Sequence, residues 1–344
     1  MNVAAEAETH PLVAASRRAM VRAGVVRSSF RLAGHTIRLE GAGPALHSRF
    51  APAFAHLPVA PDHEPADLTV LLWDTASTGE MLPPSTGLPQ PGEMAGLQRD
   101  GDRTMILHPF ERSASFLDHS LGLGVYATED AASLPSWERA APLRTLLTWW
   151  LAPRGQQMAH AAAVGDANGA ALLVGAGGSG KSTSALACLS HEARYLGDDY
   201  VLLEPATGTV WSVYGSAKLA PEQLGRFPGL LAPEPAAEGE PVDQKRVGWP
   251  LLARPEATLW AAPIRAVLLP TVTGRCRLTP TSPARALLGI APYTMFQTPS
   301  DHRLAFTLCS ELVRRTPVFS LEVGPSLEDV AATVFSSLDA SACP

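Results

Sequence analysis

Lysine is nearly absent from this 344-residue chain: of 27 basic residues only Lys181, Lys218 and Lys245 are lysines, and all three fall between residues 181 and 245. A bias toward arginine explains the shortage but not where the survivors lie. The two side chains differ in shape, hydration and reach, so a retained lysine marks a position where arginine does not serve. Charge is scarce as well, at 17% of residues with a formal net charge of −6, which excludes a general attraction for nucleic acid or anionic lipid. With 46% apolar residues the composition excludes a disordered chain. The four cysteines, Cys188, Cys276, Cys309 and Cys343, stand far apart with no metal-ligand spacing, and fit a reduced, cytoplasmic setting. No window approaches the roughly 18 apolar residues that a membrane span needs. The opening "MNVAAEAETHPL" carries Glu6 and Glu8 and no apolar core, so no signal peptide is expected.

The length suffices for two ordinary domains. Residues 1–145 read as a mixed α/β accessory or substrate-presenting domain with no catalytic pattern. Alternation in "SSFRLAGHTIRLEGA" about Ala33-Gly34 predicts a hairpin. "ADLTVLLWDT", "GDRTMILHP" and "GLGVYAT" read as strands, and "LPPSTGLPQPGEMAG" (82–96) as a loop. "PLRTLLTWWLAPRG" has helical spacing, with Trp149 and Trp150 as packing anchors. Residues 146–344 change texture. Strand-like "HAAAVGD", "GAALLVG", "ARYLGDDYVLLEP" and "IRAVLLPTV" flank a helical "KSTSALACLSHE", which predicts a βαβ unit in an α/β domain. Residues 225–257 read as one long Pro- and Glu-rich loop, a length that is functional or disordered in a compact domain. "SLEDVAATVFSSL" predicts a helix capped by Ser326.

The stretch "GAGGSGKS", Gly175 to Ser182, meets G-x-x-x-x-G-K-[ST] at every fixed position. Gly175, Gly177, Gly178 and Gly180 let the backbone turn its N–H groups inward as an anion nest, with Ser179 in the same loop. The helix that follows adds its positive dipole end, reached through Lys181, Ser182 and Thr183. Lys181 can reach β- and γ-phosphates, and the Ser182 hydroxyl can ligate Mg²⁺. ATP and Mg²⁺ are the ligands this pattern implies, although no base-reading motif separates ATP from GTP.

Binding alone is not chemistry. Asp198 follows Lys181 by 17 residues, one helix and one return strand, which predicts an Asp198-Asp199 pair at the carboxyl edge beside the loop. Two adjacent carboxylates can divide labour, one on metal and one accepting a hydroxyl proton. Gly197-Asp198-Asp199 also suits a plain turn. His160 lies 15 residues before Gly175 and would start a strand near the P-loop strand; alone, it reads as an ordinary satisfied histidine.

These three elements together, "HAAAVGDANGAALLVGAGGSGKSTSALACLSHEARYLGDDYVLL", resemble the catalytic domain of HPr kinase/phosphorylase, a bacterial P-loop serine kinase; the likeness covers about 45 of the 344 residues. The resemblance implies an α/β P-loop kinase core of the HPr kinase and phosphoenolpyruvate-carboxykinase-like type. It implies Asp198 as general base supported by His160, and Asp199 with Ser182 on the metal. Where that family carries an Arg-Gly-rich signature this chain has "VWSVYGSAKLAPEQLGRFPG", so phosphorolysis and an HPr target do not carry over. The N-terminal region, "YGSAKL", "APIRAVLLP" and "PARALLGIAPYT" resemble the HPr-kinase-like proteins encoded beside lasso-peptide genes, which implies a precursor-peptide serine as acceptor.

The reading that results is an ATP-dependent kinase acting on a peptide serine. Lys218, or Lys245 with Arg246, would touch phosphates or an acidic substrate, or else be plain surface charge. A small-molecule kinase and a non-catalytic nucleotide-binding regulator stay open. No nucleic-acid or membrane partner is expected, and the oligomeric state, a homo-oligomer included, is open.

Overall fold

The computed structural model describes residues 10–82, 97–108, 112–166, 168–231 and 245–340. Most of the loop expected over 82–96, residues 232–244 of the long stretch, the first nine residues and Cys343 lie outside the described residues. The chain divides into two compact units, one from residues 10–52 and 57–150, the other from Ala53–His56 and the described residues from Leu151 onward. Among the described residues no helix is long and apolar enough to cross a membrane.

The first unit contains α1 (Pro11–Ala23), β1 (Val25–Leu32), β2 (His35–Ala42), α2 (Pro44–Phe54), β3 (Leu68–Asp74), β4 (Gln98–Asp100), β5 (Arg103–His108), β6 (Ser113–Asp118), β7 (Leu123–Thr128) and α3 (Arg144–Leu151). Its seven strands form one sheet in the order β1-β2-β3-β7-β6-β5-β4. The Ala33-Gly34 turn is present: Leu32 faces His35, and the two turn residues have φ of 49° and 84°. Two positive φ values in a two-residue loop match the twist of the flanking strands. β3 is buried almost throughout. Trp149 and Trp150 are both buried, with the Trp150 ring edge-on to His35 at 4.9 Å, so they pack the interior as their size dictates.

The second unit contains β8 (Gln157–Ala159), β9 (Ala161–Asp166), β10 (Gly169–Val174), α4 (Lys181–Ser190), β11 (Arg194–Gly197), β12 (Val201–Glu204), β13 (Thr209–Trp211), β14 (Ala217–Leu219), β15 (Arg246–Gly248), β16 (Ala261–Val272), β17 (Arg277–Pro280), α5 (Pro283–Gln297), α6 (His302–Arg315), β18 (Val318–Val323) and α7 (Leu327–Ala340). Nine strands make a mixed sheet, β11-β9-β10-β16-β13-β12-β8, with β18 along the carboxyl half of β16 and β17 beyond it. Alternate residues of β9 and β10 enter opposite cores. Ala162, Val164, Ala171 and Leu173 pack with α4 and α7; Ala161, Ala163, Ala170 and Leu172 pack with α5 and α6. Both faces are covered, so these strands read as continuous apolar runs. Each leucine so buried contributes roughly 1.5–3 kcal/mol.

Three expectations change in detail. β10, α4 and β11 do form the strand-helix-strand run, but β9 sits between the two strands, antiparallel to both. "ARYLGDDYVLLEP" is two strands, broken at Asp198-Asp199-Tyr200. The stretch 225–257 is not one loop: β15 pairs with β14, and Pro250–Ala253 forms a helical turn. A three-residue strand is too short to show periodicity, and only its partner reveals it. α7 starts where expected, the Ser326 hydroxyl accepting the Asp329 N–H at 3.2 Å.

Candidate active site

β10 ends at Val174 and α4 begins at Lys181, so the loop between them opens at the carboxyl edge of the sheet. Gly178 and Gly180 have φ of 78° and 107°, which only glycine adopts without strain and which turns successive amides toward one point. Gly177 and Gly178 are exposed, whereas Gly175, Ser179, Gly180, Ser182 and Thr183 are half-buried. The Ser179 hydroxyl is buried without a hydrogen-bond partner among the described residues. α5 presses on the loop's first residue: a Cβ on Gly289 would lie 3.8 Å from the Gly175 Cα.

Lys181 is buried and folds back onto its own loop, its Nζ donating to the Gly175 carbonyl at 2.7 Å and the Ala176 carbonyl at 3.0 Å. Burial lowers its pKa, with Asp198 and Asp199 acting the other way. An ammonium that spends its hydrogen bonds on loop carbonyls is poised for a stronger anionic partner.

The Asp pair stands beside this loop. Ser182 Oγ donates to Asp198 Oδ1 at 2.9 Å, and the Lys218 backbone N–H donates to Asp198 Oδ2 at 3.2 Å. Asp199 instead meets the Lys218 ammonium at 2.5 Å and lies 3.5 Å from His160 Nδ1. The resemblance pairs Asp199 with Ser182; in the structure that partner is Asp198. The backbone explains the divergence. Tyr200 N–H bonds back to the Asp198 carbonyl at 2.8 Å, which closes a three-residue turn with Asp199 at φ 70°. Such turns are rare and strained, and strain of this kind concentrates at functional sites.

The two carboxylates are driven apart electrostatically. Burial, reinforced by the Asp199 charge, raises Asp198. Burial pushes Asp199 up too, but Lys218 and then His160 outweigh it and hold it at about 2. Burial also drops His160 to about 4, against the pull of Asp199, so at neutral pH this histidine is uncharged and its approach to Asp199 is a polar contact. Its Nδ1 is buried with no hydrogen bond among the described residues.

All three lysines bear electrostatically on this carboxylate pair. Lys218 lies on β14. Lys245, exposed just before β15, bears electrostatically on His160, Lys181, Asp198 and Asp199. Arg246 pairs with Leu219 in the same two-stranded sheet. Sequence reasoning missed the surroundings of His160. Tyr200 lies edge-on to its ring at 5.5 Å, the Thr294 hydroxyl accepts its backbone N–H at 3.3 Å, and Gln297 accepts the Tyr200 hydroxyl at 2.7 Å. α5 delivers Thr294 and Gln297, and its start was readable from Ser282 as cap with Pro283 behind it.

Ser182 Oγ and the nearby Asp198 carboxylate are hard oxygen donors, a set that suits Mg²⁺, which takes one or two protein oxygens and completes its shell with phosphate and water. A buried carboxylate of raised pKa is also one that a divalent cation would ionise. Among the described residues no cluster of three or more His, Cys, Asp or Glu forms an all-protein cage.

No protein-family model matches the chain, and no curated protein matches it in sequence. One solved structure that aligns with it is the Hpr(Ser) kinase/phosphatase from Coxiella burnetii, at 12% identity and a TM-score of 0.29, covering 54% of this chain and 98% of that one. A likeness that faint carries no weight for activity. What stands on the chain's own geometry is a mixed α/β fold with a P-loop sequence and a carboxylate pair at one sheet edge, with Lys181 and Lys218 in contact with them.

Proposed function

We propose that this protein is an ATP-dependent phosphotransferase that moves a γ-phosphoryl group to a hydroxyl, with serine on a peptide as the acceptor. The observation that supports it most is the Ser182–Asp198 hydrogen bond of 2.9 Å, which sets the P-loop hydroxyl against a buried carboxylate. A nest for phosphates and a metal-holding carboxylate are the two parts that phosphoryl transfer requires together.

The roles follow from position. The loop amides and Lys181 take the phosphates, Lys181 exchanging the Gly175 and Ala176 carbonyls for phosphate oxygens. Ser182 and Asp198 would hold Mg²⁺, which would neutralise charge on the transferring group. Asp199 and His160 face the acceptor side. Asp199 accepts the hydroxyl proton at Oδ1, the oxygen that Lys218 does not hold. A carboxylate held that acidic is a weak base, and a loose transition state asks little more of it. Lys218 keeps that carboxylate ionised and in place. A peptide acceptor rests on the sequence resemblance alone.

The test incubates the protein with γ-labelled ATP, Mg²⁺ and a panel of serine-containing peptides and small polyols. Label on a peptide supports the full reading, and label on a polyol moves it to a small-molecule kinase. Release of free phosphate with every acceptor leaves an ATPase, and binding without turnover leaves a nucleotide-binding regulator; either result sinks the transferase.

A further inference from the structure

The P-loop has two flanks, and only one is filled with chemistry. On the β9/β11 flank stand Asp198, Asp199 and His160. On the other flank β16 and then β18 run parallel to β10, so their carboxyl ends open at the same edge. Successive strands lie about 4.8 Å apart, which places these ends about 5 and 10 Å from the P-loop strand.

That second flank has an apolar floor beside the loop. A Cβ on Gly180 would meet Val272 at 3.3 Å and Val323 at 3.6 Å, so the last residues of β16 and β18 border the phosphate nest directly. Val323 is buried, but Val272 is 63% exposed. The loops beyond them are fastened together. Thr273 N–H donates to the Val323 carbonyl at 2.8 Å, and Gly324 N–H to Cys276 Sγ at 3.3 Å. Arg275 makes a two-point ion pair with Glu322 at 2.9 and 3.1 Å. Arg226 closes one side by donating to the Pro325 carbonyl at 2.9 Å.

We infer that this flank is the nucleoside subsite, where the base and ribose of the bound triphosphate lie over Val272, and that it holds them by apolar contact without reading the base edge. The inference rests on the nucleotide reading above. In that reading the γ end of the triphosphate would point to Ser182 and Asp198, and the nucleoside would leave on the opposite side. Several polar groups of the rim are engaged with one another: Thr273 with Val323 and Arg275, Cys276 with Gly324, Arg275 with Glu322, Ser326 with Asp329. Adenine and guanine differ only in their edge groups, so a subsite that holds the ring through the Val272 face treats them alike.

Affinities of ATP, GTP and inorganic tripolyphosphate, each with Mg²⁺, test this by calorimetry on the full chain and on Val272→Asn. The expected result is ATP and GTP within about fivefold of each other, and a loss of about fivefold for both in V272N, the order that partial loss of one buried valine contact yields. Tripolyphosphate affinity should stay within twofold, which shows that V272N retains a folded nest. V272N binding both nucleotides as the wild type does, or losing tripolyphosphate in proportion, would overturn the subsite. So would a preference of fiftyfold or more for one base. If the wild type binds neither nucleotide nor tripolyphosphate, the P-loop reading itself fails, a different result from any of these.

Discussion

Asp118 of the first unit and Asp199 of the second are both shielded carboxylates pulled below their ordinary pKa, yet they are built in opposite ways. At Asp118 burial pushes the pKa up, and Ser120, Arg103 and the Leu121 N–H more than offset it. All of these come from neighbouring strands β5 and β6 and the turn that follows β6. At Asp199 burial is offset by Lys218 and His160, which stand 19 and 39 residues away on β14 and ahead of β9. The first carboxylate is satisfied by its own neighbourhood and organises a turn. The second is satisfied only when separate elements converge, on a backbone held at φ 70° by a strained three-residue turn. A buried charge fed locally is architecture, and one assembled from afar beside a phosphate nest is where function is sought.

The strongest challenge to this contrast is to neutralise one carboxylate in each unit. Asp198→Asn keeps shape and removes the metal-side charge, so phosphoryl transfer should fall about a thousandfold or more while ATP still binds. Asp118→Asn should leave transfer untouched and cost about 1 kcal/mol of stability through its lost hydrogen bonds. Initial rates with labelled ATP and denaturant titrations separate the two. Equal rates for Asp198→Asn and wild type would place Asp198 with Asp118 as architecture.

Removing the cation of each pair is the next test. Lys218→Met leaves Asp199 shielded and unpaired, a loss of about 3 kcal/mol in unfolding free energy. Arg103→Met strands Asp118 less severely, about 1 kcal/mol, because Ser120 and the Leu121 N–H remain and the arginine is partly open to water. Lys218→Arg should recover stability better than transfer, since the guanidinium restores charge but not the compact ammonium geometry. Equal losses from Lys218→Met and Arg103→Met would erase the distinction between the two carboxylates.

The same contrast explains what could be read from the sequence. The P-loop was legible because its function is contiguous: six loop residues between an apolar strand and a helix. The spacing from Lys181 to Asp198 worked because one helix and one return strand have a nearly fixed length, even though β9 intervenes. The rarity of lysine pointed at Lys218 and Lys245 without any contact being visible. What could not be read depends on backbone reversal and tertiary pairing. Nothing in Asp-Asp announces that Asp199 takes a positive φ and turns to Lys218 while Asp198 turns to Ser182. Thr294 and Gln297 reach His160 and Tyr200 because α5 packs on the P-loop's first residue through Gly289, a packing event between distant segments. β15 is three residues whose pattern exists only against β14.

The last test concerns the histidines. His160 and His10 both fall to about 4, chiefly through burial. A depressed histidine pKa means that the unfolded chain takes up its proton first, so the stability each provides is complete above pH 6.5 and is lost as pH falls toward 4. For His160 the loss reaches about 2 kcal/mol at pH 5, since each tenfold difference in proton affinity between the folded and unfolded chain is worth about 1.4 kcal/mol. His160→Gln should therefore flatten the decline in stability between pH 7 and pH 5 by about that amount. His10→Gln should flatten it less, because the His10 ring is partly open to solvent. Urea midpoints at the two pH values measure both. A steeper decline in His160→Gln would mean that His160 is protonated in the folded state and paired with Asp199 as an ion. Proton acceptance at Asp199 Oδ1 would then have to compete with that ion pair, and the acceptor side of the site would need a different base.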